Sequence, residues 1–257
     1  MRAIAAEGLV LMRGSRTVLD QVSLAGMRGE LIGVVGPNGA GKTSLMRVLA
    51  GLEPPAEGAV ALDDAPLATL SPQTRARRIA YLAQSDALAW PLETQALVAL
   101  GRIPHRAVLS GESAHDREAV TRALARCDAQ IFKGRAVTTL SAGERARVLL
   151  ARALAVEAPV LLADEPIAAL DPLHQLTVMT LLRDEARRGA CVIVVLHELS
   201  LAMRFCDRLA VLHAGRLAAI GRPAEIVGNG VLEHVFATRF FQGTHEGAQF
   251  VLPWVPL

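Results

Sequence analysis

Three short runs of the sequence are apolar at nearly every position, without the alternation of a strand that has one face in water. They cover residues 31–35, 160–163 and 191–196. Strands that are apolar on both faces occur where helices cover both sides of a sheet. The runs therefore predict a largely parallel α/β sheet.

The remaining pattern divides the chain. Residues 3–12 and 18–27 form two apolar stretches with a polar break between them, which predicts a small antiparallel β layer. From about residue 86 to 151 helix formers dominate, and the spacing predicts helices over 93–100, 114–127 and 142–156. We interpret residues 87–151 as a helical subdomain inserted in a single domain over 1–257, with residues 1–86 and 152–257 forming the core and the β layer.

Composition excludes several classes of protein. The chain has 257 residues and a net charge of only +2, without a basic patch of the kind that binds nucleic acid. Its longest clean apolar run, 190–196, is far below the ~20 residues of a membrane-spanning helix, and its start lacks a signal-peptide pattern. We expect a cytoplasmic location. The three cysteines lack metal-ligand spacing, which predicts buried, reduced thiols.

Directly after the first apolar run comes a P-loop pattern, G-x-x-x-x-G-K-[ST], and Ser44 then opens a helix-like stretch. Glycines allow successive backbone N–H groups to face phosphate oxygens, the lysine reaches the terminal phosphates, and the threonine hydroxyl can bind Mg²⁺. The alternative is a glycine-rich turn without a ligand. The predicted nucleotide-binding residues are Gly36, Pro37, Asn38, Gly39, Ala40, Gly41, Lys42, Thr43 and Ser44.

The P-loop lysine is unusual in this chain, because the 27 basic residues include only two lysines, Lys42 and Lys133. A compact ammonium on a flexible stem fits between phosphates, and a planar guanidinium does not replace it.

The second apolar run ends in two acids, Asp164 and Glu165, ahead of Pro166. Buried acids need a positive partner. Beside a P-loop, Asp164 would hold Mg²⁺ and Glu165 would orient or deprotonate the attacking water. Adjacent strand residues face opposite sides, so we expect the two acids to have different partners. The alternative is a pair of solvated carboxylates in a loop.

The third run ends at His197, and another apolar stretch, 79–83, ends at Gln84. A lone histidine is ordinarily a structural hydrogen-bonding residue. At a strand end next to the phosphates, however, His197 could contact the γ-phosphate and the water, and Gln84 could offer an oxygen to Mg²⁺ or to water.

Residues 140–144 have two interpretations. Ser141, Ala142, Gly143 and Glu144 match a capping box, which accounts for the start of a helix. The same helix start could also bind phosphate through free N–H groups. One chain needs a single phosphate site per nucleotide, so the second site would serve a nucleotide held by another copy.

The ordered set of motifs resembles the ATP-binding cassette (ABC) ATPases over nearly the whole chain. In that family the Q-loop is at Gln84, the signature at 140–144, the D-loop at 169–171 with Asp171, and the switch histidine at His197. The resemblance implies a RecA-like P-loop core with an antiparallel β subdomain and a helical subdomain. It also implies ATP and Mg²⁺ as ligands, with Thr43, Gln84 and Asp164 around the metal. Two copies would pair as a homodimer, with Ser141 and Gly143 acting on the partner's nucleotide.

Residues 96–105 and 196–208 resemble ATPases that power bacterial import of iron-siderophores, haem and cobalamin. Such ATPases lie on the cytoplasmic face of the inner membrane, bound to two permease subunits, and an external binding protein delivers the substrate. We expect the permeases to dock near residues 84–91, at Trp90, although a buried aromatic is the alternative there. A rival interpretation is a soluble ABC ATPase that scaffolds assembly, for example of iron-sulfur clusters. Export also stays open.

Two positions depart from the family pattern. Where an aromatic ring usually stacks on adenine, the sequence has Met12 and Arg13, and we expect the Arg13 guanidinium to stack on the base. The signature has Ala142 in place of a glycine. Because one methyl group fits helical geometry, we expect altered closure of the two copies and retained function.

Overall fold

A six-stranded sheet forms the centre of the computed structural model, which describes residues 1–84, 91–107 and 111–257. The strand order is β10-β9-β3-β8-β7-β6, and every neighbouring pair is parallel except β10 with β9. The strands are β3 (Leu31–Val35), β6 (Ile79–Leu82), β7 (Val160–Asp164), β8 (Cys191–Val195), β9 (Arg208–His213) and β10 (Arg216–Gly221). The three doubly apolar runs are thus β3, β7 and β8, as predicted.

The sheet separates two hydrophobic cores, which explains why its strands are apolar at consecutive positions. In β3, Leu31 and Val35 face a core shared with the helices that follow, whereas Ile32 and Val34 face the core under the antiparallel layer. All five residues of β3 are buried. Burial on both faces leaves no position where a polar side chain would be tolerated.

An antiparallel sheet of order β2-β1-β4-β5 covers one face of the central sheet. Its strands are β1 (Arg2–Arg13), β2 (Arg16–Met27), β4 (Glu57–Leu62) and β5 (Ala65–Pro66). The first two strands confirm the predicted β layer. A third sheet, which the sequence did not predict, pairs β11 (Thr238–His245) with β12 (Ala248–Pro256).

Helices pack against the central sheet and against one another. They are α1 (Lys42–Leu49), α2 (Pro72–Arg78), α3 (Thr94–Ala99), α4 (Ala114–Arg126), α5 (Ala142–Leu154), α6 (Pro172–Arg187), α7 (Leu199–Phe205), α8 (Pro223–Gly228) and α9 (Val231–Phe236). Helices α3, α4 and α5 pack together, which agrees with the expected helical insertion. The boundaries at 87 and 151 stay a prediction; α5 itself continues to Leu154.

Within the described segments, the helices do not include one that is both long enough and apolar enough to cross a membrane. The three cysteines are free and buried, as predicted. Burial raises the pKa of the Cys127 thiol to about 12, which keeps it protonated near neutral pH.

A buried arginine joins the helical insertion to the end of α5. Arg102 is 1% exposed, and its Nε donates to Asp116 Oδ1 at 3.0 Å. Its Nη1 donates to the Ala155 carbonyl at 2.8 Å and to Glu157 Oε2 at 3.0 Å. Burial opposes ionisation of Asp116, but hydrogen bonds from Ser113 and Arg102 outweigh it and hold the pKa of this carboxyl well below its usual range. Arg102 of the 96–105 segment thus connects α4 to the residues that follow α5.

We expect Arg102→Met to destabilise the fold by about 3–5 kcal/mol at pH 7, because the Asp116 carboxylate would stay buried without its charged partner. Urea unfolding at several pH values measures this. A lowered pKa stabilises the fold above the unfolded value of about 4, and this contribution is lost as the pH falls. The free energies of unfolding of the wild type and the variant should therefore become more similar below pH ~4. Arg117→Met, on the exposed side of α4, is the control and should cost less than ~0.5 kcal/mol. An equal cost for both variants would contradict the assignment.

Candidate nucleotide-binding and hydrolysis site

Four neighbouring parallel strands end at one edge of the central sheet, and each delivers a predicted site residue there. The P-loop follows β3, Gln84 follows β6, and His197 follows β8. Asp164 is the last residue of β7, and Glu165 comes directly after it. Ligands in open α/β sheets bind beyond the carboxyl ends of the strands. The structure brings these residues together as the sequence predicted.

The P-loop passes so close to β9 that its first glycine has no space for a side chain. A Cβ at Gly36 would lie 2.1 Å from the Leu212 carbonyl oxygen. The backbone therefore turns tightly against the sheet before α1 begins at Lys42. This arrangement aims the start of α1 into the space above the strand ends, where backbone N–H groups attract anions.

Backbone carbonyl groups of the P-loop hold the Lys42 side chain inside the loop. Its Nζ donates to the carbonyl oxygens of Gly36 at 2.8 Å and Pro37 at 3.0 Å, and the residue is 5% exposed. Burial lowers the pKa of the ammonium, and the charges of Glu165 and Asp164 partly offset this. A phosphate group in the loop would stabilise the charged form further.

Asp164 is fully buried and contacts two hydroxyl groups. Thr43 Oγ1 donates to its Oδ1 at 3.3 Å, and the Tyr81 hydroxyl donates to its Oδ2 at 3.2 Å. Burial raises the pKa of this carboxyl, against the effect of both hydrogen bonds. A carboxylate and a threonine hydroxyl are hard oxygen donors of the type that Mg²⁺ prefers, so the pair fits this ion. Tyr81 was not predicted, because its contact with Asp164 depends on the pairing of β6 with β7.

Glu165 has a different set of partners, as strand alternation predicted. His197 Nε2 lies 2.7 Å from its Oε1, and the Gln84 Nε2 donates to its Oε2 at 2.6 Å. Gln84 therefore contacts Glu165 and not the Thr43–Asp164 pair, and its part in holding a metal stays a prediction. Glu165 has a positive φ of 52°, an uncommon backbone conformation that occurs often at functional sites.

A cavity of about 350 Å³ opens above the P-loop. It is lined by P-loop residues and by Glu165, and on its outer side by Arg13, Arg16 and Val18. Arg13 lies at the rim, where its Nε and Nη2 donate to the Glu53 carboxylate at 3.2 and 2.9 Å. Arg16 and Val18 carry no motif, so the sequence did not single them out. Arg13 therefore lines the same cavity as the P-loop, and its stacking on adenine stays a prediction.

Replacing Arg13 with alanine should weaken ATP binding roughly two- to fivefold, the value of a cation–π contact at an exposed site. Calorimetry with ATP and with inorganic tripolyphosphate separates the two ends of the ligand. Arg13→Ala should weaken ATP and leave tripolyphosphate unchanged, because only ATP carries a base. The control Glu53→Gln keeps the guanidinium and should bind both normally. If Arg13→Ala leaves the ATP affinity unchanged, adenine is held by another residue.

The signature residues begin α5 and form the predicted capping box. The Ser141 backbone N–H donates to Glu144 Oε2 at 2.8 Å, and the Glu144 N–H donates to Ser141 Oγ at 3.3 Å. Ser141 and Ala142 are exposed. Among the described residues, the lining of the P-loop cavity includes none from the signature. Within one chain, Ala142 of the signature lines a different cavity, together with Gln84 and Glu165.

The ABC transporter family profile matches residues 19–168, more than half of the chain. The chain belongs to the ABC transporter family. It is 46% identical to the hemin import ATP-binding protein HmuV of Nocardia farcinica, over 96% of this chain and 88% of that one. It is 45% identical to HmuV of Pseudomonas aeruginosa, with 93% and 94% covered. The predicted family, the ATPase activity and the ABC ATPase fold are thereby confirmed, and the relatives support an importer.

Solved structures agree on the fold. A metal-chelate type ABC transporter in an inward-facing conformation matches with a TM-score of 0.86 at 24% identity, over 100% of this chain and 98% of that one. The dimeric structure of a bacterial ABC transporter cassette matches with a TM-score of 0.74 at 28% identity, over 86% and 98%. The chain therefore shares its fold with a metal-chelate type transporter and with a cassette solved as a dimer.

Proposed function

We propose that this chain is the motor subunit of a bacterial haem importer. The identity of 46% with a hemin import ATP-binding protein, along nearly the full length of both chains, carries the proposal. Residues 96–105 also support it, since their sequence resembles that of the ATPases of metal-chelate importers. Siderophores and cobalamin are the other substrates of such importers and serve as outcomes of the test.

The first step assigned to the chain is binding of the ATP phosphates. Lys42 would exchange its two carbonyl contacts for the terminal phosphates, and the start of α1 would add N–H groups. Thr43 and Asp164 would hold Mg²⁺, which neutralises developing charge on the phosphate oxygens when bound. Arg13 would stack on the base at the rim of the cavity.

The second step is attack by water on the γ-phosphoryl group. Glu165 would accept a proton from the water, and His197, 2.7 Å from the carboxylate, would orient Glu165 and sense the γ-phosphate. Gln84 would restrain the second carboxylate oxygen. As in other phosphoryl transfers, positioning and charge stabilisation would supply most of the acceleration.

The third element is a homodimer in which each ATP is held by two chains. Ser141 and Ala142 are exposed and do not line the P-loop cavity of their own chain, which supports this arrangement. Ser141 and Gly143 would then contact the γ-phosphate bound by the partner. Binding would join the two copies, and hydrolysis would release them.

Permease subunits would bind this motor on the cytoplasmic face of the inner membrane, and a binding protein would deliver the substrate from outside. The docking position predicted near Trp90 lies outside the described residues. Among the described residues of the helical insertion, Leu100 and Ile103 are apolar and exposed, at 43% and 56%. These exposed apolar side chains support docking on the helical insertion.

Reconstitution tests the substrate. The tagged chain would be purified with its membrane subunits and placed in proteoliposomes, and ATPase activity would be measured with the binding protein alone and loaded with haem, a ferric siderophore or cobalamin. We expect haem to stimulate hydrolysis and the other two to leave it at the basal rate. Stimulation by cobalamin or by the siderophore, without haem, would overturn the haem assignment. Purification with soluble partners alone would instead favour the assembly scaffold.

A further inference from the structure

A histidine that no motif includes lies against the signature. His174 is the third residue of α6, and its ring covers Gly143 of α5 so closely that no side chain fits there. A Cβ at Gly143 would lie 2.0 Å from His174 Cδ2 and 2.4 Å from both Cγ and Nε2. The contact joins the helical insertion to the segment that follows Asp164 and Glu165.

Hydrogen bonds fix the other edge of the ring. His174 Nδ1 lies 2.8 and 2.9 Å from the two carboxylate oxygens of Asp171. The His174 backbone N–H also donates to Asp171 Oδ1 at 2.9 Å, which caps α6. These backbone and side-chain hydrogen bonds from His174 lower the pKa of the Asp171 carboxyl. Since a carboxylate only accepts hydrogen bonds, we assign the proton to Nδ1, and the Cδ2 edge stays directed at Gly143.

The segment between Glu165 and Asp171 is short and internally bonded. The Ala168 N–H donates to the Glu165 carbonyl at 3.2 Å, and the Leu170 N–H donates to the Ile167 carbonyl at 3.3 Å. A displacement of Asp171 would therefore move the backbone of Glu165 as well. His174 thus connects Gly143 to Glu165 through one continuous piece of structure.

A cavity of about 340 Å³ separates the first turns of α5, at Ala142 and Arg145, from Gln84 and Glu165. His174 contacts α5 at Gly143, the residue after Ala142, which lines this cavity.

We propose that His174 is a positioning residue that sets the signature of a chain relative to Glu165 of the same chain. The inference rests on the proposed homodimer. There, Glu165 serves the nucleotide bound by its own P-loop, whereas Gly143 serves the nucleotide of the partner. The contact of His174 with Gly143 therefore links the two nucleotide sites, so that occupation of one site adjusts the other.

The test measures the ATP dependence of hydrolysis by the complete transporter with its membrane subunits. We expect His174→Ala to reduce the Hill coefficient from about 2 toward about 1 and to raise the half-saturating ATP concentration about fivefold or more. Binding of ATP to the P-loop of the isolated full chain should stay unchanged, because Lys42 and Thr43 are untouched. A merely structural role would instead lower the melting temperature and leave the Hill coefficient as it is.

Two further substitutions separate the parts of the contact. His174→Asn keeps a donor near the position of Nδ1 but loses the ring, and His174→Phe keeps the ring but loses the donor. Each should give an intermediate Hill coefficient, since histidine alone supplies both. Gly143→Ala should be damaging in the wild type and less so with His174→Ala, because the clash needs the ring. His245→Ala, at an exposed hairpin tip, is the control and should match the wild type.

The outcomes distinguish this proposal from the proposed function. If a bulky Ser141→Tyr variant stops hydrolysis while His174→Ala keeps the wild-type Hill coefficient and half-saturation, the role of His174 is wrong and the homodimer stands. If Ser141→Tyr hydrolyses ATP normally, the shared site itself is wrong. Equal damage from Gly143→Ala in both backgrounds would also overturn the role of His174.

Discussion

Glu165→Gln should bind ATP normally and hydrolyse it at least ~100-fold more slowly than the wild type, the usual contribution of a positioned general base. The carboxylate lies 2.7 Å from His197 Nε2 and accepts a hydrogen bond from Gln84. An amide keeps the shape of this group but accepts no proton from water. Release of phosphate from ATP, measured together with nucleotide affinity, separates the two effects.

The same variant should trap the two-chain state. If hydrolysis releases the copies from each other, Glu165→Gln with ATP should elute as a dimer in size-exclusion chromatography. The wild type with ATP should elute at the same position as without nucleotide, once it has hydrolysed the ATP. Glu246→Gln, an exposed carboxylate at the tip of the β11–β12 hairpin, is the matched control and should behave as the wild type. A normal rate of hydrolysis by Glu165→Gln would mean that another group activates the water.

The elements that place the site were predictable because each carries a local signal. Doubly apolar runs mark β3, β7 and β8, and the polar residues directly after them, such as Asp164 and His197, must share one edge of a parallel sheet. The capping box at Ser141 likewise depends only on residues three apart. Such short-range patterns predicted the P-loop, the acids at the end of β7 and the signature.

Contacts between distant segments were not predictable from one sequence. The pairing of Arg13 with Glu53, the contact of Gln84 with Glu165 and the ring of His174 on Gly143 depend on how the subdomains pack. The β11–β12 hairpin was also missed, because the prolines at 253 and 256 argue against a strand and are tolerated only where a strand has a free edge. A sheet of two strands has such edges on both sides.

The site balances two buried charges that the folded chain stabilises only in part. Burial lowers the pKa of Lys42 and raises that of Asp164, so each environment disfavours the charged form. A phosphate would stabilise the ammonium, and a divalent cation would stabilise the carboxylate. The opposite directions of these shifts suit a ligand that brings both charges at once, which is the composition of MgATP.

Lys42→Ala should weaken ATP binding roughly 10- to 100-fold, because a hydrogen bond to a charged group contributes about 1.5–3 kcal/mol. It should also abolish hydrolysis, since the same ammonium stabilises charge on the transferred group. Binding of a fluorescent ATP analogue and phosphate release measure the two effects. Lys133→Ala removes the other lysine, which lies in the helical insertion, and should change neither.

Lys42→Arg then separates charge from geometry. Lys42 is 5% exposed, and its Nζ lies 2.8 and 3.0 Å from two carbonyl oxygens of the loop. A wider, planar guanidinium therefore has no room to lie between the loop and the phosphates. We therefore expect the arginine variant to be nearly as defective as alanine, although it keeps the positive charge. If Lys42→Arg binds and hydrolyses ATP like the wild type, the charge alone is sufficient and the close fit of the loop around Lys42 is not what the reaction needs.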